Sequence, residues 1–245
     1  MITDILNNDK KYITQPIVKY FSDKLSETQC SINLAFSTCI PTIFSGILIN
    51  VNNSSTTDEM LAIITSKNSI NQEFISNPEN FYNDNEKIYK KGNQIVTSLF
   101  GNKIDEVIRN IKLTSGLQKD SVRELLDITL IITMATLGTK ASYEGWKPKE
   151  ILNYLIRNQN TIKKSTPKDI KKIIGIEGKT FKEKSLNETI QKTDKKSYWK
   201  KYLILAIVAL LLIFVVKKGC SVIKTYNNKT EKTNTTTSLI EFYKT

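Results

Sequence analysis

Apolar residues recur at helical spacing through most of the first 160 residues of the chain. Pro16 fits the first turn of an early helix. Two much longer apolar segments follow, over residues 27–49 and 121–137, with shorter amphipathic segments between and after them. Glycine and proline are scarce, with 9 and 5 residues, which disfavours a sheet with many tight turns. The pattern predicts a compact all-α, multi-helix domain over residues 1–160.

Several residues mark where these helices should begin, bend or end. Pro41 lies inside the first long segment and is expected to kink or split it. Thr56 and Glu59 form a capping-box pattern that is expected to open a short helix. Helices are expected to end at Gly101, Gly116 and Gly138, and a last helix is expected to begin at Pro148.

The two long segments are similar to each other. They align at an offset of 92 residues, counted from Leu25 to Leu117. The other matched pairs are Leu34 with Leu126 and Gly46 with Gly138. The similarity predicts two helical halves that pack face to face around one core, and the alternative is chance similarity between two amphipathic segments.

An uncharged apolar run, YLILAIVALLLIFVV, occupies residues 202–216. As a helix it would measure about 22 Å against a hydrocarbon core of about 30 Å, so length alone leaves a buried core helix as the alternative. Lysine pairs at 200–201 and 217–218 favour the membrane, because lysines at a bilayer edge reach the headgroups. Tyr and Trp at 198–199 fit an interfacial aromatic belt. We predict one transmembrane helix, with a usable span of about 198–223.

Lysines on the two sides of this span predict its orientation. The twenty residues before the span hold seven lysines, and the twenty after it hold five. The N-terminus has no basic segment followed by an apolar one, as a secretory signal peptide would. The positive-inside rule therefore places the helical domain in the cytoplasm and the polar tail of residues 217–245 on the opposite side.

The net charge of +12 is unevenly distributed along the chain. Residues 1–140 have a net charge of −1, residues 141–201 of +9 and residues 202–245 of +4. The segment 161–201 holds 13 lysines and 5 acidic residues. We interpret it as a solvated Lys-rich linker that also attracts anionic lipid headgroups. Because the helical domain has no basic excess, no nucleic acid partner is expected.

Histidine is absent, which excludes the catalytic mechanisms and metal sites that need an imidazole. Cys30 and Cys39 are expected on opposite faces of one helix, where they cannot form a disulfide. Both are expected to be buried free thiols. Cys220 lies just beyond the span and fits a plain thiol or an acylation site.

The segment GIEGKT, residues 175–180, ends like a phosphate-binding loop. The full pattern needs a glycine where the chain has Ile173, and a buried strand where the chain has the basic, helical sequence KDIKKII. We therefore interpret this segment as part of the linker.

Two pairs of neighbouring acidic residues and one pair of aromatic residues are candidate functional residues, but each pair has a simpler structural explanation. Asp105 and Glu106, and also Glu124 and Asp127, are expected on solvated helix faces. The aromatic residues Tyr143 and Trp146 are expected to be packing anchors, with a binding platform as the alternative. No catalytic, cofactor-binding or metal-binding residue is predicted.

Short motifs across residues 98–155 are shared with a known family. They are Leu99-Phe100-Gly101, Ser115-Gly116-Leu117, Leu137-Gly138, and Leu152 with Leu155 in the closing helix. The stretch CIPTIFSGIL at residues 39–48 adds a Pro-x-x-x-x-Gly segment. On these residues the chain resembles the bacterial helical family catalogued as domain of unknown function 937, over roughly residues 1–160. Thr133 stands where the resemblance would place a proline like Pro41, so the sequence does not predict a second kink there.

The resemblance implies a compact all-α bacterial domain without assigned biochemistry. It also implies relatives in the Bacteroidetes that continue, beyond a similar span, into a periplasmic peptidoglycan-binding domain like that of outer membrane protein A. Here 29 residues follow Val216, so the chain looks like a short or truncated member.

The sequence thus predicts a non-enzymatic, membrane-anchored helical interaction module, single-pass in a bacterial inner membrane. Its expected partners are the lipid bilayer, anionic headgroups and an unidentified protein. The alternative is a cell-envelope linking protein whose wall-binding part is absent or supplied by a partner. A nucleic-acid-binding or enzymatic role ranks third.

Overall fold

The computed structural model describes residues 5–65, 72–81 and 86–183, and all regular structure within them is helical. The α-helices are α1 (Ile5–Lys10), α2 (Gln15–Leu25), α3 (Gln29–Ile49), α4 (Ser54–Ile64), α5 (Gln72–Ser76), α6 (Glu86–Phe100), α7 (Ile104–Ser115), α8 (Lys119–Glu144), α9 (Pro148–Arg157), α10 (Gln159–Ser165) and α11 (Lys168–Ile174). Short 3₁₀ turns occupy Pro78–Phe81 and Gly101–Lys103. The expected all-α, multi-helix class is confirmed.

Helices α3 and α8 pack against each other at the centre of the bundle, and the shorter helices pack around them. Every residue from Thr38 to Leu48 is buried, as is every residue from Leu125 to Gly138. Both helices are long and apolar enough to cross a membrane, which by itself is weak evidence of a span. Because 78% and 83% of their most apolar windows are buried inside the protein, their apolar surfaces already have partners within the bundle.

Two of the expected helix boundaries are wrong. Helix α8 continues past Gly138 to Glu144 and is capped by Gly145, whose φ of +66° is the left-handed conformation that glycine adopts without strain. The capping box at Thr56 does not form, because α4 begins two residues earlier, at Ser54. The Thr57 hydroxyl instead donates to the Asn50 carbonyl oxygen at 2.7 Å.

Gly138 has a packing role in place of the expected capping role. A Cβ on this residue would lie 3.1 Å from the carbonyl oxygen of Ile64, at the end of α4. That distance is tighter than ordinary van der Waals contact, so glycine lets α4 approach the middle of α8 closely. Gly46 has the same role in α3, where a Cβ would lie 2.9 Å from the Phe100 ring.

Pro41 does not split its helix, since α3 runs without interruption from Gln29 to Ile49. The Pro41 carbonyl oxygen accepts a hydrogen bond from the Thr166 hydroxyl at 3.2 Å, and that hydroxyl lies 2.7 Å from the Ser45 hydroxyl. These buried hydroxyls link the middle of α3 to the end of α10. The sequence pattern does not reveal this link, because the residues are more than a hundred positions apart.

The compact unit extends to Glu183, rather than ending at residue 160 with a linker beyond it. The residues responsible come from both helices and the segment after them: Ile162 and Thr166 are buried at the end of α10, Ile170 and Ile174 are buried in α11, and Ile176 follows them. Many lysines lie between these buried residues, and this high charge is why the sequence pattern predicted a linker.

The last residues of the unit lie along α9 and α10. Gln159 forms two hydrogen bonds with the backbone of Phe181, accepting from its N–H at 3.0 Å and donating to its carbonyl oxygen at 2.9 Å. Arg157 pairs with Glu183 through both carboxylate oxygens. The transmembrane span expected at 202–216, the rest of the linker and the tail lie outside the described residues.

Candidate functional site

A buried carboxylate joins the first described helix to the longest one. Asp9 in α1 is fully buried, and its Oδ2 accepts a hydrogen bond from the Thr133 hydroxyl in α8. Burial raises the pKa of Asp9 to about 7, against the opposing effect of hydrogen bonds from Thr133 and Thr136. No sequence motif marks Asp9, since it is a lone aspartate in a short segment.

An open groove of about 300 Å³ lies beside this contact, between α1 and the last turns of α8. Its lining residues are Asn8, Lys11, Tyr12, Thr136, Thr139, Lys140, Tyr143 and Glu144. Thr136 belongs to both the groove and the buried contact. It lines the groove, and its side-chain hydrogen bond lowers the pKa of Asp9. The lining mixes cationic, anionic, amide, hydroxyl and aromatic groups.

The two aromatic residues at the end of α8 have different environments. Trp146 packs against Tyr154 with ring centroids 4.9 Å apart, and the Lys140 ammonium lies 5.1 Å from the Trp146 ring centroid. Trp146 is therefore the packing anchor that was expected. Tyr143 is not, because 89% of its surface is exposed at the rim of the groove.

Asp127 is not on a solvated face, contrary to expectation. It is fully buried in α8, forms an ion pair with Arg123 at 3.3 Å, and accepts a hydrogen bond from the Asn93 amide at 2.9 Å. Arg123 also donates to the Asn93 carbonyl oxygen, which closes a polar network between α6 and α8. Burial raises the pKa of Asp127, against the opposing effects of Asn93 and Arg123.

Asp105 and Glu106 are exposed in the first turn of α7, as expected for a solvated helix face. Asp105 lies 2.8 Å from the Lys119 ammonium. The hydrogen bond and charge of Lys119 hold the pKa of this exposed carboxyl below its usual value. Both acids also lie where the helix dipole favours negative charge.

The GIEGKT segment, residues 175–180, has no phosphate-loop geometry. The residues before it form α11, which ends at Gly175 with a φ of +70°. Ile176 is buried and the Lys179 carbonyl oxygen accepts from the Lys163 ammonium. The segment therefore belongs to the folded unit rather than to the linker.

Cys30 and Cys39 lie on opposite sides of α3 as free thiols, so the prediction that they do not pair is confirmed. Cys39 is buried, and burial raises the pKa of its thiol. Cys30 is exposed, contrary to the expectation that both are buried. It lies in the first turn of α3, where the helix has not yet entered the core.

Among the described residues, no three side chains of the metal-ligating types His, Cys, Asp and Glu come together. The two buried carboxylates there, Asp9 and Asp127, each contact neighbouring side chains and have no exposed surface. Asp9 connects α1 to α8, and Asp127 connects α6 to α8. The absence of catalytic, cofactor and metal sites from the whole chain stays a prediction.

These features define an all-α bundle built around two apolar helices and tied by buried polar contacts. The chain belongs to a family of bacterial proteins of unknown function, DUF937, whose family model matches residues 9–140. The match begins at Asp9 and ends at Lys140, so it covers the bundle from the end of α1 into α8 and leaves out α9–α11. No curated protein and no solved structure matches the chain.

Proposed function

We propose that this protein is a membrane-anchored helical interaction module, held by one span at residues 202–216. The observation that carries the proposal is the uncharged run with a lysine pair at each end. A helix that is apolar on every side needs protein or lipid around it, and flanking lysines suit a bilayer. The described apolar helices α3 and α8 differ, because the bundle itself covers them.

We propose that the unit acts by binding another protein rather than by catalysis. The support is the groove between α1 and α8, which opens to solvent beside the exposed ring of Tyr143. Tyrosine is enriched at protein interfaces because it offers a large rigid surface and a hydroxyl. The proposed partner contact includes Tyr143, Lys11 and Lys140.

The two-halves arrangement is also a proposal. Its support is a pair of matching connections: α2 ends before Ser26 and α7 ends before Gly116, both in the left-handed conformation. In each case the next helix begins three residues later, at Gln29 and Lys119. These connections align at an offset of 90, whereas the matched residues align at 92. An insertion of two residues within α8 would reconcile the connections with the pairs Leu34–Leu126 and Gly46–Gly138, but not with Leu25–Leu117, because Leu117 precedes α8.

The proposed topology places the helical unit in the cytoplasm and residues 217–245 beyond a bacterial inner membrane. Its supports are the lysine counts around the span, seven before and five after. An envelope-linking role requires this orientation, because wall material lies on the outer side. The family match stops at residue 140 and does not extend to the span or the tail.

Membrane fractionation of the full chain tests the anchor. We expect the protein to stay in the membrane pellet through carbonate and high-salt washes, and a version with charged residues inside 202–216 to be released. Release of the unaltered chain by salt alone would overturn the anchor.

Reporter fusions at each terminus test the topology. We expect the C-terminal fusion to report the periplasm. Replacing Lys195, Lys196, Lys200 and Lys201 with glutamine leaves three lysines against five, which should mix or invert the orientation. A cytoplasmic C-terminal reporter in the unaltered protein would contradict the topology and remove the basis for envelope linking.

A further inference from the structure

Helices α10 and α11 carry lysines opposite their buried sides. Both helices pack on α3. Ile162 in α10 and Ile170 in α11 are fully buried. Lys164, Lys168 and Lys172 each lie two positions from one of these isoleucines, which is about 200° around a helix. All three lysines are exposed, so each lies on the side of its own helix opposite the buried isoleucine.

This surface has an unbalanced positive charge. Residues 161–183 hold seven lysines and three acidic residues, and one of the acids, Glu183, is paired with Arg157. No lysine of α10 or α11 forms an ion pair with a residue that the structure describes. Lys179 and Lys182, also exposed, follow along the same segment. We call Lys164, Lys168, Lys172, Lys179 and Lys182 the basic face.

We propose that the basic face binds anionic lipid headgroups of the bilayer that holds residues 202–216, and thereby sets the orientation of the helical unit on the membrane. This inference rests on the proposed anchor. It differs from lipid attraction by a solvated linker, because these lysines have fixed positions on folded helices. A fixed face determines which side of the unit meets the membrane and which side faces a partner.

The position of the face relative to the chain favours the bilayer as its partner. Gln159 fixes Phe181 beside α10, so the chain leaves the unit next to the basic face. The 18 residues 184–201 between the unit and the span reach at most about 60 Å. The lysines are therefore held at high local concentration near the headgroups, where modest electrostatic attraction is sufficient for binding.

Lysine labelling of the full chain in lipid vesicles tests the orientation. The protein is reconstituted into phosphatidylcholine alone or into phosphatidylcholine mixed with phosphatidylglycerol, and lysine acetylation is quantified by mass spectrometry. We expect acetylation of Lys164, Lys168 and Lys172 to fall several-fold in the anionic vesicles. Lys19 and Lys112, exposed on α2 and α7, should be labelled equally in both. Equal labelling of all five lysines in both lipids would overturn the proposal.

Vesicle sedimentation of residues 1–183 tests the face without the anchor. The described core consists of residues within this unit, from Ile5 to Ile176, so the unit has what it needs to fold alone. We expect it to bind anionic vesicles and not neutral ones.

A charge-matched pair of triple variants keeps the test specific. Replacing Lys164, Lys168 and Lys172 with glutamine should weaken partitioning roughly a hundredfold, since each lysine near the surface contributes about 1 kcal/mol and about 1.4 kcal/mol is a factor of ten. The control replaces Lys19, Arg109 and Lys112 with glutamine, which removes the same charge and should change partitioning much less. Circular dichroism of each variant verifies folding.

Three outcomes separate the possibilities. Equal losses in both triple variants would show attraction by net charge alone and would overturn a specific face. Tighter binding of residues 1–183 to duplex DNA than to anionic vesicles at physiological salt would assign the face to nucleic acid and also overturn it. Salt release of the full chain together with face-dependent vesicle binding would refute the anchor but not the lipid-binding face.

Discussion

The hydroxyl of Thr133 donates to the carboxylate of Asp9 across 124 positions of the chain, inside a contact from which solvent is excluded. The bond holds the short helix α1 against the middle of α8. A carboxylate at such a position is disfavoured in its charged form, so folding and protonation of Asp9 are coupled. This coupling gives the unit a stability that depends on pH in a definite direction.

We expect the Asp9→Asn variant to be more stable than the unaltered unit at high pH. The pKa of Asp9 rises from 3.8 to about 7 on folding. Below 3.8 both states are protonated and Asp9 has no effect. As the pH rises from there to about 7, the unfolded chain loses the proton first, so Asp9 lowers stability progressively. Above pH 7 this cost is complete, and the variant should be more stable by about 4 kcal/mol at most, since a difference of one in pKa corresponds to about 1.4 kcal/mol.

Urea unfolding of residues 1–183 at several pH values measures the difference between the two proteins. The exposed Asp23→Asn variant is the control and should follow the unaltered unit at every pH. A stability difference for Asp9→Asn that does not change with pH would show that Asp9 folds with no change in protonation.

Gly138→Ala should destabilise the unit even though alanine favours a helix by about 1 kcal/mol. The added Cβ would lie 3.1 Å from the backbone carbonyl oxygen of Ile64, so α4 must move. We expect a net loss of about 1–2 kcal/mol in thermal or urea unfolding. Ser142→Ala, on an exposed side of the same helix, should be neutral or slightly stabilising. Stabilisation by Gly138→Ala would mean that α4 shifts away from the added methyl group at little energetic cost.

Glu27 caps α8 from the connection between α2 and α3, and its loss should loosen that helix start. Its Oε1 accepts from the Gln118 backbone N–H at 2.8 Å and from the Ser121 hydroxyl at 2.9 Å. Gln118 itself provides no side-chain cap. Glu27→Ala should cost about 1 kcal/mol, and Glu27→Gln less, because the amide retains an acceptor but loses the charge. Equal costs for the two variants would argue against the hydrogen bonds and for general packing.

Arg123→Met should be more damaging than removing the whole ion pair. It leaves Asp127 buried with only the Asn93 amide as a described hydrogen-bond donor, and should cost about 1–3 kcal/mol. Adding Asp127→Leu removes the unpaired charge, so the double variant should regain part of the lost stability. A double-mutant cycle by urea unfolding measures the coupling. A double variant less stable than Arg123→Met would show that Asp127 stabilises the bundle without its partner.

A chain that ends at residue 160 should fold poorly, whereas one that ends at Glu183 should unfold cooperatively. The shorter chain lacks Ile162, Ile170, Ile174 and Ile176, each of which contributes about 1.5–3 kcal/mol by burial. It also uncovers the side of α3 on which α10 and α11 pack. Circular dichroism and gel filtration of the two chains test this, and equal cooperativity would restore the domain boundary at residue 160.

Much of the fold follows from the sequence because hydrophobic periodicity is local. The all-α class, the long helix of residues 29–49, the helix that ends at Gly116 and the separation of Cys30 from Cys39 each depend on residues within a few turns of one another. The family resemblance rests on motifs of the same kind, and the match to residues 9–140 supports it.

Tertiary contacts decided the rest. Gly138 does not end α8 but allows α4 to pack closely against it. This role depends on Ile64, which lies far away in the chain. Whether Asp127 faces solvent depends on Asn93, and whether Asp9 is buried depends on Thr133. Residues 161–183 are part of the fold because α10 packs on α3, and α11 packs on both α3 and α7. These contacts bury the few apolar residues of a segment that is otherwise rich in lysine. Local sequence determines how a segment can fold, and burial of that segment requires a partner surface that only the assembled bundle provides.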